Sequence, residues 1–256
     1  ASYTALDSNR FYFQMGITGE YVDVSTYKDH SNYKVAQNAS LNMAFRVYKK
    51  TFLSLGLTQR SDRGFDLIYS YPVSGEPSMY YVQQLEGLGG LNEAYLGIAY
   101  QLGKLSLGVN AAYVFGKVED RLTLVMQPAT SGYYLKSQTL THISSSLFTL
   151  GFQLPLPLTK KSELTLGGSF NFGTSLHGNR TFTANKISNT SGAIINVNNE
   201  SWDNGEIFYP FRMIVGATYQ YNKKWTLAGD YTFQKMSAYK EFGTNQEFQN
   251  YHKAAI

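Results

Sequence analysis

Apolar and polar side chains alternate with a period of two in segment after segment of this 256-residue chain, the pattern of strands whose two faces meet different surroundings. Phe11, Phe13, Met15 and Ile17 share one face, opposite Tyr12, Gln14, Gly16, Thr18 and Glu20. Leu41, Met43, Phe45 and Val47 repeat the pattern, as do Leu53, Leu55 and Leu57. Further strands are predicted at residues 96–101, 105–115, 148–154, 164–172, 211–220 and 225–234, and residues 251–256 read as the start of a tenth.

The connections narrow the fold class. Short turns fall at Lys49-Lys50, Leu102-Gly103-Lys104, residues 155–161 and Asn222-Lys223-Lys224. The connections near 23–38, 61–90, 117–143, 175–205 and 237–249 are long and polar, and the Asn- and Ser-rich stretch 185–205 reads as a mobile outer loop. A soluble sandwich has no reason to alternate in this way, whereas outer-membrane barrels join their strands by short turns on one side and long loops on the other. The expected fold is therefore all-β: one transmembrane, antiparallel, up-and-down β-barrel domain over residues 1–256, set in the lipid of a bacterial outer membrane. Aromatic residues at strand ends, among them Phe11, Tyr21, Phe45, Tyr100, Tyr113, Phe115, Tyr219, Tyr221 and Trp225, suit a bilayer interface. A mean hydropathy of -0.27 is no objection, because alternating lipid-facing and lumen-facing residues average to the value of a soluble protein. A tenth strand with nothing after it would leave an open edge in lipid, so both ends are expected to be incomplete.

Composition removes several functions. There is no cysteine, hence neither a disulfide framework nor a thiolate metal site. The net charge of +4 comes from lysines spread over the short turns and not from a basic stripe interleaved with aromatics, so nucleic acid is not an expected partner. His30, His142, His177 and His252 show neither metal-ligand spacing nor a triad pattern; no catalytic residue, cofactor or metal is expected.

Three groups of residues stand out. Gly87, Gly89 and Gly90 interrupt the alternation just before a strand, which suits either a kink that opens the wall sideways or an ordinary glycine turn. Leu67, Ile68, Tyr69, Tyr71, Met79, Tyr80 and Tyr81 make the segment 65–81 too apolar for a solvated loop; this marks a ligand or partner site, or a tall hairpin above the membrane. Glu20, Arg46, Glu93, Arg212 and Asp230 fall on the lumen-facing side, where nearly balanced charges would form a structural network in preference to an ion pathway.

Two stretches carry a family resemblance. Glu86-Gly87-Leu88-Gly89-Gly90-Leu91-Asn92-Glu93-Ala94-Tyr95-Leu96-Gly97, continuing through residues 105–116, is similar to the FadL-type outer-membrane transport family, above all its Bacteroidetes members. Pro210-Phe211-Arg212, Gly216-Ala217-Thr218-Tyr219 and Trp225-Thr226-Leu227-Ala228-Gly229-Asp230-Tyr231 resemble that family's late paired strands, and Ala1-Ser2-Tyr3 resembles the end of its plug. Met236 stands where the family often has Trp. The resemblance implies fourteen strands, with the N-terminal hatch and about four C-terminal strands absent here. It also implies passive transport of small hydrophobic molecules such as fatty acids, released sideways through the kink. The alternative is a non-transporting barrel subunit of an outer-membrane secretion or protein-assembly complex, as some relatives are. The expected partners are then other outer-membrane proteins or lipoproteins in place of a small hydrophobic ligand.

Overall fold

The computed structural model describes residues 11–25, 30–128, 132–245 and 247–256, with side chains described except at 18–39 and 77. It contains β1 (Phe11–Ser25), β2 (His30–Tyr48), β3 (Thr51–Asp62), β4 (Phe65–Val73), β5 (Glu76–Leu102), β6 (Leu105–Gln127), β7 (Tyr133–Pro157), β8 (Ser162–Asn171), β9 (Thr174–Ser188), β10 (Ile194–Tyr209), β11 (Arg212–Tyr221), β12 (Trp225–Gln234), β13 (Lys240–Glu241), β14 (Thr244–Asn245) and β15 (Tyr251–Ala255). All belong to one 15-stranded sheet. Every pairing is antiparallel, and the only helical turn among the described residues is the 3-10 turn Met236–Ala238.

The main path runs β1-β2-β3-β5-β6-β7-β8-β11-β12-β15. Nine of these are the strands that the period-two pattern marks, β15 falls where a tenth was expected to start, and the four short turns join strands at one end of the sheet. The remaining five, β4, β9, β10, β13 and β14, lie off the path, in segments expected to be loops. The two ends of the path, β1 and β15, are not paired with each other.

Most of the expected long loops are thus paired strand. β5, β6 and β7 run to 27, 23 and 25 residues, more than twice the roughly 9–11 that a tilted strand needs to cross a bilayer. β4 lies against the first half of β5, end to end with β3 on the second half. At β7 the sheet forks: residues 149–157 pair with β8, and residues 133–143 pair with β9. Residues 185–205, expected to be a mobile loop, form most of the β9–β10 hairpin, with register shifts near Val197 and Asp203. Alternation misses these strands because their polar residues stand on both faces or their apolar ones on the other face, while backbone groups still gain from pairing.

The two halves of the long strands are of opposite polarity. Along β6 the outward side chains are Leu105, Leu107, Val109, Ala111, Tyr113 and Phe115, then Lys117, Glu119 and Arg121. Inward, Ser106, Gly108, Asn110, Ala112 and Val114 give way to Leu122, Leu124 and Met126. The lower outward band is exposed across the sheet, with Phe13, Leu55, Leu96, Ile98, Phe148, Leu227 and Trp225 all open to the surroundings. Small residues fill its inner face, where Ala44, Ser54, Ala99, Ser106 and Ala112 are buried, because a concave face leaves little room per residue.

Candidate functional site

The upper end of the inner face is where the molecule concentrates its packing and charge. The β9–β10 arm curls back over the inner face: Ile143, Leu176 and Ile207 are buried together, and Leu91, Tyr209, Tyr239 and Phe242 pack against them. Leu91 comes from β5 and Ile207 from β10, so the cluster bridges strands far apart in the sheet. Arg60 reinforces the bridge, making an ion pair with Glu93 at 2.5 Å and stacking its guanidinium 4.6 Å from the Tyr209 ring.

A second charged layer adjoins the first. Arg180 pairs with Glu241 and lies 4.0 Å from the Phe242 ring, while Arg63 pairs with Asp120 at 2.9 Å. Burial lowers the Arg180 guanidinium pKa and raises that of the Tyr239 phenol. The shifts favour the neutral form of both groups, as desolvation requires. On the outward side Glu119, buried, accepts from Arg121 Nε at 2.5 Å and from Gln138 Nε2 at 2.8 Å.

The lumen-facing charges named from the sequence do not come together. Among the described residues, Glu93 alone of these forms an ion pair, with Arg60. Arg46 stacks on the buried Phe52 ring at 5.1 Å, Arg212 Nε is buried without a hydrogen-bond partner, and Asp230 lines a separate, mostly apolar hollow of about 500 Å3 with Gln153, Thr165, Ile214 and Ala217. Glu20 lies in β1 opposite Val35, and its side chain is outside the described residues, as is Ala1-Ser2-Tyr3. Arg60, Arg63 and Arg180, which do the pairing, sit in segments expected to be loops or at strand ends; the available signal was a phenylalanine two residues after each of Arg63 and Arg180, Phe65 and Phe182, and Arg60 carried none.

Gly87, Gly89 and Gly90 lie inside β5, not before it. β5 and β6 pair residue for residue through them, Gly87 opposite Asp120 and Gly90 opposite Lys117, so the wall has no opening on that side. Gly87 is covered by the Phe65 ring, and a side chain at Gly90 would meet the Ser61 carbonyl. Gly89 has φ +91° and faces the Lys117 carbonyl, a conformation and a clearance that only glycine satisfies without strain. Its carbonyl accepts from Arg63 N at 2.9 Å, where β5 changes partner from β3 to β4.

The seven apolar residues of 65–81 all lie on the β4–β5 hairpin, and alternation divides them. Tyr69, Tyr71 and Tyr81 share the inner face with Leu67 and Met79, whereas Ile68 and Tyr80 point the other way. Tyr69 and Tyr71 stack at 6.4 Å and are exposed. Between this hairpin and the lower inner face, whose hollow of about 540 Å3 is lined by Gln14, Asn42, Ser54, Glu93 and Asn110, stand the charged layers. The apolar hollow bounded by Ile98, Tyr100, Leu107, Val109 and Leu150 opens instead on the outward band. Among the described residues no three His, Asp or Glu side chains gather as metal ligands do.

A family model, BamG, matches residues 1–256. No curated protein and no solved structure matches the chain. BamG is a family of BAM-complex components, distinct from the FadL type, so the resemblance to FadL-type transporters is corrected: the paired-strand motifs that carried it are repeats of aromatic, glycine and small residues that alternating outer-membrane strands share.

Proposed function

The chain belongs to the BamG family, and from that premise we propose that it is a non-transporting β-barrel subunit of an outer-membrane protein-assembly complex. The observation that carries the non-transporting part is the filled upper interior. A small hydrophobic molecule entering from the Tyr69–Tyr71 hairpin would have to pass the Ile143–Leu176–Ile207 cluster and the Arg60–Glu93, Arg63–Asp120 and Arg180–Glu241 pairs, and the space below them is polar. The partner of such a subunit is protein, and no covalent step is assigned to it.

The reversal of polarity along β6 supports a membrane setting. The outward apolar run from Leu105 to Phe115 covers 11 residues, the span of a tilted strand across a hydrocarbon core. Beyond it the outward face is charged, as water requires. Closure of the sheet into a barrel belongs to this reading, because unpaired edges are not tolerated in lipid. Native purification from outer membranes in mild detergent, with mass spectrometry of all that stays bound, tests the proposal. Stoichiometric protein partners are expected; the protein alone with fatty acid bound would overturn it.

A further inference from the structure

In the upper half of the sheet β4 is an outermost strand. Among the described residues it pairs with β5 and with no other strand. β2, which would cover its other side, leaves β3 above the Leu41–Leu57 pair and continues against β1 alone. The hydrogen bonds to β5 decide which backbone groups remain. Arg63 N donates to the Gly89 carbonyl at 2.9 Å, and antiparallel bonds to one neighbour recur at every second residue. Counted from that bond, the one-to-one register from Phe65↔Gly87 to Tyr71↔Tyr81 turns the N–H and C=O groups of Phe65, Leu67, Tyr69 and Tyr71 toward β5. Those of Asp66, Ile68 and Ser70 point the other way, and all three residues are exposed. Donors and acceptors alternating along an open edge are a template for one more strand.

Edges of this kind are usually blunted by bulges, lysines or proline, and the opposite edge of the upper half is blunted so. β10 carries register shifts between Asn196 and Asn198 and between Trp202 and Gly205, has Asn204 at φ +57°, and is covered by β13 at Ile207 and Phe208. From Phe65 to Tyr71 β4 has neither a bulge nor a basic residue; its one register shift, between Pro72 and Val73, comes at the hairpin end. The chain protects one upper edge and leaves the other straight.

We propose that β4 takes an extended segment of a protein partner as an added strand, hydrogen-bonded to Asp66, Ile68 and Ser70. The two faces of β4 specify the side chains of that segment. Leu67, Tyr69 and Tyr71 stand on the inner side, so the added strand presents an apolar residue inward at every second position. Asp66 stands on the outer side, where it accepts from Gln84 Nε2 at 3.0 Å and joins no ion pair among the described residues; its complementary neighbour across the new pair is a lysine or arginine. The inference rests on the subunit reading above and adds where the partner attaches and through what kind of segment.

The test uses the full chain in its complex, purified from outer membranes in mild detergent. Ile68→Pro removes an outward N–H and sets a ring against the incoming strand while sparing the bonds to β5, so retention of the partner should fall about tenfold or more. Ile68→Ser keeps the N–H and should retain the partner. Equal retention by the two variants would overturn the proposal. Ser70→Cys supplies the only cysteine of the chain; coupled to a benzophenone maleimide and irradiated in the complex, it should crosslink to one segment of one partner with alternating apolar residues. It decides the case if Ile68→Pro lowers the melting temperature. Crosslinks to a second copy of this chain, to β2 of the same chain, or scattered over several partners would overturn the added strand. Absence of any stoichiometric partner from the unaltered protein would instead refute the subunit reading itself.

Discussion

The lower and upper halves of β5, β6 and β7 are continuous in hydrogen bonding and opposite in polarity. Below Gly90 and Gly116 the outward face is Leu, Val, Tyr and Phe and the inward face is Ser, Gly, Asn and Ala; above them Lys117, Glu119, Arg121 and Gln138 face outward while Leu85, Leu122 and Leu124 face inward. One strand cannot have two preferences for the same surroundings, so the surroundings change along it. Apolar side chains turn outward in the lower half, as the proposed lipid setting requires, and inward in the upper half, where they build a packed interior of their own.

The sharpest way to break this comparison is to put the same charge on both halves of one strand. Val109→Arg lies at the middle of the outward apolar run and should cost about 2–4 kcal/mol, as an arginine at the bilayer midplane does. Thr123→Arg, on the same face of β6 above the charged boundary, should change stability by less than about 0.5 kcal/mol. Guanidinium unfolding of protein reconstituted in vesicles measures both, and equal costs would mean that the two halves share a solvent.

A substitution in the upper interior asks whether that half is a separate packing unit. Ile207→Ala removes a buried side chain from the cluster with Ile143 and Leu176 and should cost about 2 kcal/mol, the low end for such a truncation because part of the shell is open. Hydrogen exchange should rise in β9 and β10 and stay unchanged in β6 from Leu105 to Phe115. A uniform rise would show a single cooperative unit. At the boundary itself, Gly89→Ala places a side chain at φ +91° against the Lys117 carbonyl; a loss of about 1–2 kcal/mol is expected, read as a lower melting temperature.

The lower half was legible in the sequence because an apolar outward band and small residues inside impose strict alternation, and nine of the ten main-path strands, β15 excepted, carry it. The upper half was not. Its apolar residues change face without a register shift, so Leu122 and Leu124 read as breaks in the pattern that Leu105 to Phe115 had set. Arg60, Arg63 and Arg180 find their partners through curvature: Arg60 meets Tyr209 only because β10 folds over β3 and β5, a contact that spacing along the chain does not encode. Family identity was hidden for a different reason, since paired Gly- and Tyr-rich strands follow from an antiparallel sheet with one apolar and one small-residue face.

The smallest expected effect on stability bears most on the partner. On the β4–β5 hairpin Tyr69 and Tyr71 project to the inner face and Ile68 and Tyr80 to the outer one, and all four are exposed. Tyr69→Ser/Tyr71→Ser and Ile68→Ser/Tyr80→Ser should therefore each alter stability by less than about 0.5 kcal/mol. Exposed tyrosines are strong anchors when a partner desolvates them, at about 2 kcal/mol or more each, and the upper inner face extends them with the partly buried Leu67 and Leu85. Loss of protein partners from the first variant and not the second, measured by quantitative mass spectrometry of the purified complex, is the expected outcome. The opposite result would move the partner to the polar outer face, where Asp66, Glu86 and Arg121 would have to supply the recognition.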